Sequence, residues 1–229
     1  MTAPIPGVTA CVFLDLDGTL LDTAPDMARA LNHLLLEQGR PPLAPERIRP
    51  MVSHGTPGLI ALGFGLTPES ENFAGLRQRF LDLYSAALAV DTALFAGMDA
   101  LLGYLETRAI PWGIVTNKPG WLTDRLLRAL GLYDSAACVV SGDTVARRKP
   151  DPEPLLYACR LVGVTPAQCC YVGDAERDIQ AGNRAGMTTW VARFGYLADT
   201  DRPETWGAFG LLDTPNDLLS WLAGRKEST

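Results

Sequence analysis

The chain of 229 residues carries a formal net charge of −6, with 47% hydrophobic and 20% charged residues. That length can bury a sizeable core in one large domain or a domain with an insert, and the composition is that of an ordinary soluble globular protein. The negative balance argues against nucleic acid or an anionic membrane as the main partner.

The opening residues, Met1-Thr2-Ala3-Pro4-Ile5-Pro6-Gly7, lack a basic and then apolar leader pattern, so no signal peptide is expected. No stretch is long and apolar enough to span a bilayer as a helix. The five cysteines (Cys11, Cys138, Cys159, Cys169 and Cys170) are odd in number and form no Cys-x-x-Cys pair, which argues against zinc or redox chemistry. They read as small buried hydrophobes in a reducing compartment, and the cytoplasm is the expected location.

An apolar run over residues 10–14 predicts the first strand, which delivers Asp15 and Asp17 into a turn at Gly18. Side chains two apart on a strand share a face. Two carboxylates that close repel each other unless they share a proton or a cation. The pair suits a hard metal with oxygen ligands, or a nucleophile beside an acid/base. Taken alone, it also fits a strand followed by an acidic, solvated turn.

Beyond Asp22 the pattern changes. Thr23-Ala24-Pro25 reads as a helix start with proline near its first position, and Met27, Leu31, Leu34 and Leu35 follow at helical spacing. Met51-Val52-Ser53-His54-Gly55-Thr56-Pro57-Gly58 reads as a polar, glycine-containing loop between apolar helices. Thr67-Pro68-Glu69 reads as another helix start, with Leu76, Phe80, Leu83 and Tyr84 on one face. No strand is expected over residues 22–94, which read as a helical insert the size of a small domain.

The rest of the chain alternates. Strands are predicted over 111–116, 137–141, 169–172 and 188–192, and helices over 98–107, 121–130, 153–162, 176–185 and 216–223. Gly131, Gly163 and Gly186 stand just past three of these helices, where a left-handed cap favours glycine. The alternation predicts an α/β protein with a Rossmann-like, doubly wound parallel sheet as its core, built from residues 1–21 and 95–229. Ligands of such sheets bind at the carboxyl ends of the strands. Asp15 with Asp17, Thr116 with Asn117, and Asp174 each fall at such an end. No Gly-x-Gly-x-x-Gly follows the first strand, so a dinucleotide site is not expected.

Asp15-x-Asp17-Gly18-Thr19-Leu20 resembles the first motif of the haloacid dehalogenase superfamily of phosphohydrolases. Thr116-Asn117, Lys149-Pro150, and Gly173-Asp174 with Asp178 match its later motifs in the family's order. The resemblance covers nearly the whole chain. It implies a metal-dependent phosphatase of small phosphorylated metabolites, with residues 22–94 as a type 1 cap closing over the active site. Asp15 would be the nucleophile that forms an aspartyl-phosphate. Asp17 would protonate the leaving group and then activate water, roles that general chemistry also allows them. Mg²⁺ would be held by the Asp15 and Asp174 side chains and the Asp17 carbonyl, with Asp178 holding a metal-bound water or orienting the ligands from behind. An oxygen-rich set without histidine or cysteine suits Mg²⁺ better than zinc.

Lys149 would supply the fixed positive charge, Thr116 a hydroxyl, and Gly18 and Asn117 backbone N–H groups for the phosphoryl oxygens. Thr19 is expected to stabilise the turn. Ala175 stands where many relatives carry serine or aspartate. The segment around His54, Gly55 and Thr56 resembles the substrate-specificity loop of type 1 caps. His54 suits contact with an anionic or sugar group, and a purely structural histidine fits as well.

Asp17 argues against carbon–halogen cleavage, since relatives that cleave such bonds lack the second aspartate. A signalling receiver domain also combines acidic residues, a threonine and a lysine, but it would be much shorter, lack the helical insert and take its aspartate from a mid-chain strand. Overall the chain resembles the phosphoglycolate phosphatase family. The segments 112–119, 193–196 and 206–208 resemble its branch acting on N-acetylmuramic acid 6-phosphate in cell-wall recycling, whereas Ser53-His54-Gly55 departs from the Gly-Gly pair expected there. The partner expected is a small-molecule phosphate ester, without nucleic acid or membrane, and the chain a monomer or weak dimer.

Overall fold

The computed structural model describes residues 9–224. The expectation that the first seven residues carry no leader lies outside them. The elements in chain order are β1 (Cys11–Leu14), β2 (Leu21–Asp22), α1 (Ala24–Glu37), α2 (Pro45–Ile48), α3 (Gly55–Phe64), α4 (Phe73–Ala86) and β3 (Ala93–Leu94). There follow α5 (Met98–Thr107), β4 (Trp112–Val115), α6 (Gly120–Ala129), β5 (Val139–Val140), α7 (Glu153–Val162), β6 (Cys169–Gly173), α8 (Glu176–Ala185), β7 (Thr188–Ala192), β8 (Gly210–Leu212) and α9 (Pro215–Gly224). Among the described residues no helix is long and apolar enough to cross a membrane.

Six strands pair in parallel in the order β5-β4-β1-β6-β7-β8, as the alternating pattern predicts. The chain leaves β1 for one side of the sheet, through β4 and β5, and then crosses to β6 on the other side. The strand order therefore reverses at β1, which makes the crevice beyond its carboxyl end the expected ligand site. Val12 and Leu14 belong to one apolar cluster, Cys11 and Phe13 to the other, so each face of the central strand is covered. All five cysteines are buried free thiols.

Several expectations need correction. The segment 22–94 is bounded by a short antiparallel ladder, with Leu21 opposite Leu94 and Asp22 opposite Ala93. Two residues per strand are too few to leave an alternating pattern in the sequence. The predicted strand over 137–141 pairs only at Val139–Val140. β8 was not expected, because Gly-Leu-Leu carries no β-branched residue. The helix expected from Thr67 begins at Phe73, because Thr67 and Ser70 close a turn in both directions. The 51–58 segment is not a loop: a 3₁₀ turn, Arg49–His54, runs directly into α3.

Within the helical segment α1 packs against α4, burying Leu31, Leu34, Phe80 and Tyr84. Its two connections to the sheet are tied together by Asp26. That carboxylate accepts N–H groups of Val90, Asp91 and Thr92 and the Thr92 hydroxyl at 2.7–3.3 Å. Although buried, it is held below the usual carboxylate range, because these donors and Arg29 outweigh desolvation.

Candidate active site

Asp15 follows β1, and its N–H still donates to Val172 O of β6 at 2.9 Å, so the residue leaves the sheet along the neighbouring strand's edge. The side chain is buried. Its Oδ1 accepts the Leu16 N–H at 2.7 Å and lies 2.9 Å from Lys149 Nζ. Burial pushes the carboxyl up from its ordinary value even against the lysine's pull. The turn beyond it needs Gly18, whose φ is +85° and where a Cβ would lie 2.1 Å from Asp174 Oδ2. The Gly18 N–H, expected to meet a phosphoryl oxygen, here donates to Leu21 O at 3.0 Å. Thr19 Oγ1 is buried without a partner, so backbone bonds rather than its hydroxyl hold the turn.

Asp17 is less buried and faces the helical segment. Its Oδ1 accepts the Thr23 hydroxyl at 2.7 Å and lies 2.9 Å from Lys118 Nζ. Lys118 also donates to the phenol of Tyr84 on α4 at 3.0 Å. Burial alone would lower the Lys118 pKa, but Asp17 and Tyr84 more than offset that and leave it raised. Burial pushes the Tyr84 phenol up to about 12.

Lys149 is fully enclosed. Its ammonium meets Asp15, Asp178 Oδ1 at 2.7 Å, Tyr171 Oη at 2.7 Å and Val115 O at 3.0 Å. Burial disfavours its charge, yet the two carboxylates keep its pKa above the ordinary value. Asn117 clamps the Lys149 backbone, donating to its carbonyl at 2.9 Å and accepting its N–H at 3.1 Å. The Thr116 N–H donates to Val140 O, and its hydroxyl accepts the Lys118 N–H at 3.2 Å while keeping a proton to donate.

Asp174 stands at the end of β6. Its Oδ2 accepts the Tyr196 N–H at 2.9 Å and the Ser53 hydroxyl at 2.7 Å, while its buried Oδ1 has no partner. Burial, with Asp15 and Asp178 nearby, raises this carboxyl to about 7. One oxygen from each of Asp15, Asp174 and Asp178 lies within 4.8 Å of the others. An orphaned oxygen and two carboxyls pushed up by burial and by neighbouring carboxylates fit a hard divalent cation with oxygen ligands. Asp178 is already engaged on both oxygens, by Lys149 on one and the Ala175 N–H at 3.0 Å on the other, which suits an orienting role better than direct ligation.

The carboxylates, Thr116, Asn117 and Lys149 thus converge from the ends of β1, β4 and β6, the start of α8 and the loop between β5 and α7, while the 51–58 segment meets them through a different residue than expected. His54 is exposed, and Gly55 and Thr56 open α3; the contact to Asp174 comes from Ser53. Sequence reasoning also missed Lys118, Arg177 and Tyr196. Arg177 donates to the Ser53 carbonyl, and its pKa is raised by Asp178, Asp15 and Asp174 despite burial. The Tyr196 hydroxyl accepts the N–H groups of Thr23 and Ala24 at 2.6 and 2.9 Å and donates to Asp22 at 2.9 Å. Lys118, directly after Thr116-Asn117 at a strand end, was the one with a positional signal.

The family model for haloacid dehalogenase-like hydrolases matches residues 12–192. The chain is 45% identical over 211 residues to the phosphoglycolate phosphatase of Xylella fastidiosa (strain Temecula1), covering 91% of this chain and 90% of that protein. It is 41% identical over 207 residues to the N-acetylmuramic acid 6-phosphate phosphatase of Pseudomonas putida (strain KT2440), covering 90% and 93%. Among solved structures, a "predicted phosphoglycolate phosphatase" from Haemophilus somnus superposes with a TM-score of 0.82 at 23% identity, covering 93% of this chain and 97% of that one.

Proposed function

The chain belongs to the haloacid dehalogenase-like hydrolase family and is a phosphoric monoester hydrolase, and we propose that it works through an aspartyl-phosphate on Asp15 with Mg²⁺ as its cation. The observation that carries this reading is the placement of Lys149 Nζ 2.9 Å from Asp15 Oδ1 at the end of the central strand, with Asp174, one of whose oxygens has no partner, in the same acidic cluster.

Hydrolysis of a phosphate monoester requires neutralising the phosphoryl oxygens, aligning a nucleophile in line and protonating a poor leaving group. Asp15 attacks phosphorus as the ester bond to the leaving alkoxide breaks. Asp17 gives that alkoxide its proton and then takes one from the water that hydrolyses the acyl phosphate. The Thr116 hydroxyl meets a phosphoryl oxygen, and Lys149, enclosed beside Asp15, supplies the fixed positive charge that offsets the negative charge of the site. Asp15, Asp174 and the Asp17 carbonyl would hold Mg²⁺, with Asp178 behind them. When bound, the ion supplies charge neutralisation at the phosphoryl oxygens. Residues 22–94 serve as the cap, with core residues 1–21 and 95–229 below.

The relatives' two names differ in substrate but share a chemistry: 2-phosphoglycolate and N-acetylmuramic acid 6-phosphate each combine a phosphomonoester with a carboxylate. We take 2-phosphoglycolate as the substrate. The contact of Ser53 with Asp174 brings the cap within one hydrogen bond of the site, which supports the smaller molecule. The 41% identity to the Pseudomonas putida protein supports the amino-sugar phosphate as the second reading. Phosphate release with Mg²⁺ on both compounds tests this. A kcat/KM larger for 2-phosphoglycolate is expected, the reverse ranking would assign the amino-sugar phosphate, and no release from either would overturn the substrate class.

A further inference from the structure

Two contacts join the 3₁₀ turn of the helical segment to the acidic end of the sheet. The Ser53 hydroxyl donates to Asp174 Oδ2 at 2.7 Å, across 121 residues of sequence. The Arg177 guanidinium, on the first turn of α8, donates to the Ser53 carbonyl, across 124 residues. One residue is thus gripped from both its side chain and its backbone, by a member of the acidic trio and by the guanidinium three residues on.

The consequence for Asp174 is geometric. The Tyr196 N–H and the Ser53 O–H both point at Oδ2, and Oδ1 is the oxygen left without a partner. Groups that hold a ligating carboxylate by its second oxygen fix its orientation and its affinity for the ion. The Tyr196 N–H comes from the loop after β7, next to the sheet, whereas the Ser53 hydroxyl comes from the helical segment.

We propose that Ser53 is a positioning residue that couples docking of residues 22–94 to cation binding at Asp174, with Arg177 as the second grip of the same latch. This rests on the reading of Asp174 as a metal ligand and goes beyond it. Coupling of this kind is reciprocal: the docked segment tightens cation binding, and the bound cation tightens docking. Ser53 also sets what the latch can be made of, since a glycine at this position would keep the Arg177 contact to the carbonyl and lose the one to Asp174.

The test uses the full chain without substrate. Mg²⁺ binding is measured by calorimetry for the unaltered protein and for Ser53→Ala, Ser53→Thr and Asp174→Asn, alongside hydrogen exchange of residues 49–58 with and without the ion. The expected result is a loss of affinity of about tenfold in Ser53→Ala, retention in Ser53→Thr, which keeps the hydroxyl, and Mg²⁺-induced protection of 49–58 that disappears in Ser53→Ala. A Ser53→Ala protein that binds Mg²⁺ as tightly as the unaltered one, with 49–58 still protected by the ion, overturns the latch while leaving the metal site standing. Undiminished binding in Asp174→Asn overturns the metal reading itself, and the latch with it.

Discussion

Lys118 Nζ lies 2.9 Å from Asp17 Oδ1, so the carboxylate assigned to acid/base work has a buried cation as its neighbour. The same ammonium reaches Tyr84 in the helical segment at 3.0 Å, while Thr23, just before α1, donates to the same carboxylate oxygen at 2.7 Å. The orientation of Asp17 is therefore set as much by the helical segment as by the sheet that carries it.

Replacing Lys118 with Met removes two charge-assisted hydrogen bonds and leaves Asp17 with Thr23. We expect a stability loss of about 1.5–3 kcal/mol and a fall in kcat of about tenfold or more, since a misplaced acid forfeits part of its contribution. Tyr84→Phe keeps the ring packing and removes only the phenol, with an expected cost of about 1 kcal/mol. Thermal unfolding and steady-state phosphate release measure both. Unchanged turnover in Lys118→Met would reduce this pair to a packing feature.

The pH dependence has a definite sign. Asp174 is raised from 3.8 to about 7 by burial and by Asp15 and Asp178, so without metal the folded chain binds more protons than the unfolded one between these values. Its contribution to stability is then fully present below about 4 and is lost as pH rises through about 7. Cation binding requires the ionised carboxylate and displaces that proton. The rise in melting temperature on adding Mg²⁺ should therefore be larger at pH 8 than at pH 5. A rise independent of pH would contradict the assignment of Asp174.

A steric prediction concerns Gly195. A Cβ there would lie 2.3 Å from Gly18 O and 2.4 Å from Asp174 Cβ, two positions that cannot yield without moving the turn or the carboxylate. Gly195→Ala should destabilise by about 1–3 kcal/mol and weaken Mg²⁺ binding. Calorimetry showing normal affinity in this variant would mean that Asp174 tolerates displacement.

What the sequence revealed and what it hid follow from the range of each interaction. Asp15 and Asp17 stood out because their spacing is local, although only the later motifs set them apart from an acidic, solvated turn. Lys149 and Asp174 became legible only through the order of the motifs, since a lone lysine or aspartate reads as surface. Lys118 was given no role because its partners stand 101 and 34 residues away in sequence. Ser53 sat inside the segment singled out as the specificity loop, but the residue chosen was His54, which is exposed; a polar loop and a 3₁₀ turn entering a helix share the same composition. The two-residue strands bounding the helical segment are too short for any periodicity to show.

The central claim is that phosphate passes through Asp15, and the most direct measurement is rapid acid quenching of the enzyme with radiolabelled substrate and Mg²⁺, followed by peptide mapping. The label should appear on Asp15 before inorganic phosphate accumulates. In Asp15→Asn it should be absent and turnover abolished, with an unchanged circular dichroism spectrum. Phosphate released by Asp15→Asn at the rate of the unaltered enzyme would contradict the assignment.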